Sequence, residues 1–81
     1  GLVGSEMCIR DSSRIALSDA GVGATLLKSA MQGASLNVYI NTKSMKDRKR
    51  AEELNQLADS LREECEAKAD RIFAEVSSRI R

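Results

Sequence analysis

The sequence predicts an all-α protein in which two long helices form part of an antiparallel helical bundle, leaving the domain incomplete. The first observation is a nearly uncharged segment, residues 18–43, in which apolar and small residues recur at helical spacing. The second is a charged C-terminal segment with one continuous apolar stripe. Two helices without a third layer cannot cover an apolar helix on all sides, so we expect unpartnered apolar surface.

The first helix is expected to run from about Asp19 to Asn41, after a short leading segment, residues 13–17. Asp19 follows Ser18 just before the apolar run, where a side-chain oxygen can accept the first free backbone N–H groups. Between Ala20 and Thr42 the only charged residue is Lys28. A helix that is apolar over most of its circumference is predicted to be buried. Its two apolar sectors are Leu26, Leu27, Ala30, Met31, Ala34 and Val38, and then Leu36, Tyr39 and Ile40.

A row of small and uncharged polar residues, spaced four apart, occupies the rest of this helix: Thr25, Ser29, Gly33, Asn37 and Asn41. Leaving a buried amide unpaired costs about 1–3 kcal/mol. The two asparagines are therefore interpreted either as a satisfied structural network or as ligand contacts. The glycines of the segment each cost about 1 kcal/mol of helix stability relative to alanine, which close packing or a nearby ligand would explain.

The second helix is expected to run from about Met45 to Ile80, with Ser44 as its candidate N-cap. Its stripe has a mean spacing of about 3.7 residues, longer than the 3.5 of a left-handed coiled coil, which predicts a nearly straight helix in a bundle. Cys65 lies on this stripe and is interpreted as a small core residue, with a reactive thiol as the less favoured reading. The stripe consists of Leu54, Ala58, Leu61, Cys65, Ala69, Ile72, Val76 and Ile80.

Charge and composition exclude several classes of function. A net charge of +1 is too small to indicate nucleic-acid binding. No aromatic residues interleave with the one basic cluster, which is either a solvated helix start or an attraction point for an anion. No apolar run approaches the roughly 18 residues of a membrane span. The basic cluster consists of Lys43, Lys46, Arg48, Lys49 and Arg50.

The residues for several kinds of catalytic site are absent from the sequence. Without histidine there is no metal-ligand spacing and no Ser-His or Cys-His arrangement. The glycines after Asp19 do not match a phosphate-binding loop. We therefore expect neither a metal ion nor a cofactor. Beyond residue 12 the sequence has a single cysteine, Cys65, which fits a reducing, cytoplasmic environment.

The first twelve residues resemble the in-frame translation of a transposase-type sequencing adaptor, and they read GLVGSEMCIRDS. Such segments are excluded from fold reasoning. We therefore treat residues 1–12 as adaptor-derived and not native, and residues 13–81 as the C-terminal part of a helical domain. On this reading neither Met7 nor Cys8 carries information about the native protein.

The order of several short motifs resembles the cyclodeaminase/cyclohydrolase family, which contains formimidoyltetrahydrofolate cyclodeaminase and methenyltetrahydrofolate cyclohydrolase. The resemblance extends with lower specificity to about Ile80. The motifs are Ser18-Asp19, Gly21-Val22-Gly23-Ala24, Gly33-Ala34, Leu36-Asn37-Val38, Ile40-Asn41 and Lys46-Asp47.

The resemblance implies an all-helical, homodimeric enzyme of one-carbon metabolism whose substrate is a tetrahydrofolate derivative. As a lyase it would convert formimidoyltetrahydrofolate to methenyltetrahydrofolate plus ammonia; as a hydrolase it would open the methenyl bridge with water, and both need general acid–base catalysis. Asp19, Asn37 and Asn41 are then candidates for substrate binding, and the basic cluster for attracting an anionic glutamate tail.

The resemblance leaves the catalytic residues unknown, because an upstream acidic segment similar to the catalytic part of the family is not in this sequence. The 81 residues alone are therefore expected to be inactive, whatever the activity of the parent protein. The alternative function is a non-catalytic helical interaction module whose apolar face docks on a partner.

Overall fold

The computed structural model describes the backbone of residues 2–81 and the side chains of residues 13–81. It contains two helices, α1 (Leu2–Lys43) and α2 (Arg48–Ile80), joined by the short connection of residues 44–47. The molecule measures 70 × 16 × 14 Å, so it is a rod two helices wide. The predicted all-α fold is confirmed, and the backbone of residues 2–81 contains no β-strand.

The two helices are antiparallel and meet through small side chains. Gly21, near the middle of α1, lies against Val76 near the end of α2, where a Cβ added to the glycine would stand 3.1 Å from a valine methyl carbon. This close approach explains why a glycine occupies position 21 despite its cost in helix stability. Of the two explanations that the sequence left open, close packing and a nearby ligand, the first applies here. The other buried residues of the interface are also small: Ala24, Ser35 and Thr42 of α1, and Ala51, Ala58 and Ala69 of α2.

Helix α1 does not begin at Asp19, so the expected helix start is wrong. The backbone is helical from Leu2 through residues 13–17 and past Asp19 without a break. Asp19 is therefore an exposed residue in the middle of a helix and does not act as an N-cap. The predicted boundary between adaptor and native chain falls within α1 at residues 12 and 13. Because the side chains of residues 1–12 lie outside the described ones, that boundary stays a prediction.

Helix α2 begins three residues later than expected, at Arg48, and its N-cap is Asp47. The Asp47 carboxylate accepts a hydrogen bond of 3.0 Å from the backbone N–H of Arg50, which satisfies one of the free donors of the first turn. Ser44 instead directly follows α1, and its hydroxyl donates to the carbonyl of Asn41 at 3.1 Å. Both residues suit an N-cap, and the extended backbone at Asp47 decides between them.

The expectation that α1 is buried all round is wrong for this chain, because α2 covers only one side of it. Of the first predicted apolar sector only Met31 and Val38 are half-buried, and the rest is exposed. The predicted α2 stripe is partly correct: Ala58, Ala69 and Val76 are buried. Its larger members Leu61, Ile72 and Ile80 are exposed. The expected unpartnered apolar surface is thus present on both helices. Neither helix, over residues 2–81, is long and apolar enough to cross a membrane.

Replacing Gly21 with leucine should destabilise the hairpin, whereas the same change at Gly23 should not. At Gly21 the new side chain must displace Val76, a strain of about 1–3 kcal/mol. At Gly23 no atom lies within 4 Å of an added Cβ, so the better helix former should add up to about 1 kcal/mol. Thermal unfolding followed by circular dichroism measures both, and equal melting temperatures for the two variants would contradict the close contact.

Candidate functional site

The two candidate asparagines lie next to each other on the exposed side of α1. The side-chain amide of Asn41 donates a 2.7 Å hydrogen bond to the backbone carbonyl of Asn37, one turn earlier. Both residues are exposed, so the sequence-based expectation of buried amides is wrong. The Asn41 bond to Asn37 agrees with the structural reading of that side chain, and the ligand-contact reading stays a prediction. The side chain of Asn37 faces solvent and is available to a ligand.

The third candidate, Asp19, is far from the asparagines in a single chain. It lies 18 residues before Asn37 on the same helix, which corresponds to about 27 Å along the axis. All three residues are exposed. One chain therefore does not bring the three candidates into a common pocket, and their assignment to substrate binding stays a prediction.

In the basic cluster at the hairpin connection, the two arginines form contacts within the chain and the three lysines are exposed. Arg48 closes the end of α1: its guanidinium donates to the carbonyls of Thr42 at 2.8 Å, Met45 at 3.0 Å and Lys43 at 3.2 Å. These carbonyls belong to the last turn of α1 and the connection, where helical partners run out. Arg50 forms an exposed ion pair with Glu53 at 3.3 Å. The exposed cations left for an anionic ligand are Lys43, Lys46 and Lys49.

A ladder of polar side chains joins the two helices along one edge, and the sequence reasoning missed it. We call it the interhelical ladder. Its rungs connect Thr42 with Asn55 at 2.6 Å, Tyr39 with Asp59, Gln32 with Glu66 at 2.8 Å, and Lys28 with Asp70 at 2.7 Å.

Arg62 lies at the centre of the interhelical ladder. Its guanidinium pairs with Glu66 at 2.6 Å and donates to the Tyr39 hydroxyl at 3.5 Å. Its side chain is 29% exposed and that of Glu66 is 22% exposed, so this pair is less screened by water than the outer ion pairs of α2. The ladder fixes the register of the helices, because each rung joins residues that only one alignment brings together.

The rungs change the ionisation of their members. The hydrogen bond from Gln32, with the charge of Arg62, lowers the pKa of Glu66 against the opposing effect of desolvation. The hydrogen bond to Asp70 and its charge raise the pKa of Lys28. The hydrogen bonds with Tyr39 and Glu66 raise the pKa of Arg62. Each shift favours the charged form, so Lys28, Arg62 and Glu66 remain charged throughout the neutral range.

A spacing signal in the sequence could have found the ladder. The polar residues of α1 that face α2 follow steps of four and three residues, and the polar residues of α2 do the same. They are Lys28, Gln32, Ser35, Tyr39 and Thr42 on α1, and Asn55, Asp59, Arg62 and Glu66 on α2.

On the edge opposite the ladder the helices enclose an open apolar groove of about 410 Å³. Leu27 and Met31 of α1 and Leu61 of α2 line it, and Cys65 lies at its floor as a half-buried free thiol. The ion pair between Lys68 and Glu64, 3.0 Å long, lies at its rim. Among the side chains of residues 13–81, no three His, Cys, Asp or Glu residues are grouped as metal ligands.

Comparisons with known proteins match most of the chain. The family model described as formiminotransferase-cyclodeaminase matches residues 5–60. A methenyltetrahydrofolate cyclohydrolase of Methylorubrum extorquens (strain AM1) is 38% identical over 64 residues, which cover 79% of this chain and 31% of the relative. The chain thus spans about a third of the length of this curated relative. No solved structure matches the chain.

Because the family model covers more than half of the chain, the protein belongs to the formiminotransferase-cyclodeaminase family. The resemblance recognised in the sequence is confirmed at the level of the family. The matched range contains all three candidate residues, Asp19, Asn37 and Asn41. The matched range ends at residue 60, so the ladder residues Arg62, Glu66 and Asp70 of α2 lie beyond it.

Replacing Glu66 with glutamine should lower the free energy of unfolding of the hairpin at pH 7. It should also reduce the loss of that free energy as the pH falls into the acid range. The pKa of Glu66 is lowered on folding, so its stabilising effect is complete above the ordinary glutamate pKa of about 4.3. That effect is lost as the pH falls through the lowered value. Urea unfolding between pH 2 and 7 measures this, with Glu64→Gln as the matched control in the exposed pair with Lys68. Parallel pH profiles for all three proteins would contradict the role of the ladder.

Proposed function

We propose that the complete protein is an enzyme of one-carbon metabolism that acts on a tetrahydrofolate derivative. The observation that carries the proposal is the 38% identity to a methenyltetrahydrofolate cyclohydrolase over 79% of this chain. The name of that relative favours hydrolysis of methenyltetrahydrofolate as the reaction. The family name supports the second candidate, a lyase reaction in which formimidoyltetrahydrofolate closes to methenyltetrahydrofolate and ammonia leaves.

The exposed amides near the end of α1 are suited to bind the folate ring system. A primary amide presents a donor and an acceptor side by side, which complements the lactam edge of a pterin. Asn37 and Asn41 lie one turn apart on the same helix, with the Asn41 amide oriented by its bond to the Asn37 carbonyl. In this proposal the Asn37 side chain contacts the pterin, and Asn41 holds the neighbouring turn in place.

The exposed lysines beyond the asparagines are suited to attract the glutamate tail. Lys43 follows Asn37 by six residues, which is about 9 Å along the helix. Lys43, Lys46 and Lys49 are exposed, and the arginines of the cluster are already engaged. Carboxylates of a folate tail would therefore meet a local excess of positive charge. The reaction also needs a general acid or base, and Asp19 is the one carboxylate on α1 among residues 13–43.

A homodimer and a cytoplasmic location are part of the same proposal. Large apolar side chains of α1 such as Leu26, Leu36 and Ile40 are 64–71% exposed, which favours assembly over a lone hairpin. The free thiol of Cys65 is compatible with a reducing compartment.

The test is an absorbance assay of the complete gene product. With methenyltetrahydrofolate supplied, its loss over time is expected if the protein is a cyclohydrolase. With formimidoyltetrahydrofolate supplied, formation of the methenyl compound together with ammonia would establish the cyclodeaminase instead. A folded protein inactive in both assays would favour the alternative, a helical interaction module.

In the same assay, Asn37→Ala should lower kcat/KM by at least about ten-fold, since loss of a substrate hydrogen bond costs about 1.4 kcal/mol or more. The matched control is Gln56→Ala, which removes an exposed amide from α2. Unchanged turnover in a folded Asn37→Ala protein would remove Asn37 from the substrate site.

A further inference from the structure

The two edges of the hairpin differ in polarity. One edge carries the interhelical ladder, whose side chains form hydrogen bonds and ion pairs with each other. The opposite edge is the open apolar groove of about 410 Å³. Paired polar side chains are stable in contact with water, whereas a contiguous apolar surface is one that proteins normally cover. The groove edge is therefore where a further layer of protein would bury the most apolar area.

The groove has the form and the length of a site for a third helix. Its floor contains two small residues, Ala24 with 5% and Ala69 with 6% exposure, which allow another helix to approach closely. On α2 the groove extends from Leu61 to Ile72, a distance of about 16 Å that corresponds to three helical turns. Large apolar side chains form its walls, and they are Leu27 and Met31 of α1 and Leu61 and Ile72 of α2.

The charges at the rim of the groove are already paired within α2. Glu64 and Lys68 form an ion pair of 3.0 Å with each other. The α1 residues that line the groove, Ala24, Leu27 and Met31, are uncharged. Among the described lining residues, the groove thus offers no free charge to an ionic ligand. The complementary occupant is the apolar face of an amphipathic helix.

The length of the curated cyclohydrolase relative leaves room for such a helix in the same polypeptide. The 64 matched residues are 31% of that relative, so about 140 of its residues lie outside the match. That length is sufficient for three more helices as long as the 33 residues of α2. A helix in the same polypeptide is held near the groove by its covalent connection, which gives it an effective concentration that a separate partner lacks.

We infer that the groove is the docking site of an amphipathic helix from the part of the complete polypeptide outside these 81 residues. The apolar face of this helix packs between the walls of the groove and covers the thiol of Cys65. The ladder edge stays in contact with water. The lining of the groove does not include Asp19, Asn37 or Asn41, so the docking is independent of the proposed folate function.

Alkylation of Cys65 by iodoacetamide tests the docking, with the rate read from the Cys65 peptide by mass spectrometry. The thiol is half-buried in the hairpin, so it should react in the 81-residue chain. In the complete protein it should react at least about ten-fold more slowly, because the docked helix must first open.

The matched control for the alkylation is Ala67→Cys, at an exposed position of α2 that is not part of the groove lining. Its rate should differ by less than about three-fold between the two proteins, because the docked helix does not cover it. Equal rates for Cys65 in the 81-residue chain and in the complete protein would overturn the docking.

Photo-cross-linking from Lys68 identifies the occupant of the groove. Lys68 lies at the rim and is exposed, so a diazirine reagent attached to its amine reacts with whatever lies beside it. Isotopically labelled and unlabelled complete proteins are mixed under conditions of subunit exchange and then irradiated. The expected products join Lys68 to residues outside this segment and contain one isotope only. Products of mixed isotopes would assign the groove to a second copy and overturn the inference.

The Leu27→Glu variant tests the same contact through stability. Leu27 is 66% exposed in the hairpin, so the melting temperature of the 81-residue chain should change by no more than about 4 °C. In the complete protein the new carboxylate would lie under the docked helix, and the melting temperature should fall by at least about 8 °C. A complete variant that fails to fold, beside a folded 81-residue variant, also supports the docking. A change of equal size in both proteins would overturn it.

Discussion

The close contact of small residues between α1 and α2 determines which side chains of the two helices stay exposed. Gly21, Ala24 and Ser35 on one side, and Ala51, Ala58 and Ala69 on the other, bring the helices together without needing large side chains. Their burial removes little apolar area, so the hydrophobic stabilisation of the hairpin is modest. The interhelical ladder fixes the alignment of the two helices, since its hydrogen bonds from Lys28 to Thr42 can all form in only one register. The larger apolar residues are thereby left facing outward.

An isolated hairpin of this kind exposes more apolar surface than a stable monomer normally tolerates. Leu26, Leu36 and Ile40 of α1, and Leu57 and Leu61 of α2, are all about half exposed or more. Helix α1 therefore exposes apolar side chains on the side that α2 leaves uncovered. The candidate residues Asp19, Asn37 and Asn41 are also exposed on this helix.

The sequence predicted the number of helices and their order, because the long proline-free segments repeat apolar residues at helical spacing. It misplaced the start of α1, since Ser18-Asp19 has the chemistry of an N-cap but the backbone there is already helical. It also predicted that the large apolar residues of α1 are buried, whereas the buried residues of this helix are Gly21, Ala24, Ser35 and Thr42. Hydrophobicity alone does not show which of several faces permits the closest approach. Of the candidate site, the sequence pointed to the residues, while their exposure and separation required the structure.

The most direct test of the close contact between the helices is small-angle X-ray scattering of the 81-residue chain. Small residues hold α1 and α2 side by side, so the expected maximum dimension of one chain is about 70 Å. Helices of 42 and 33 residues that opened at the connection would instead span about 110 Å end to end. A maximum dimension near that larger value for a single chain would contradict the close contact.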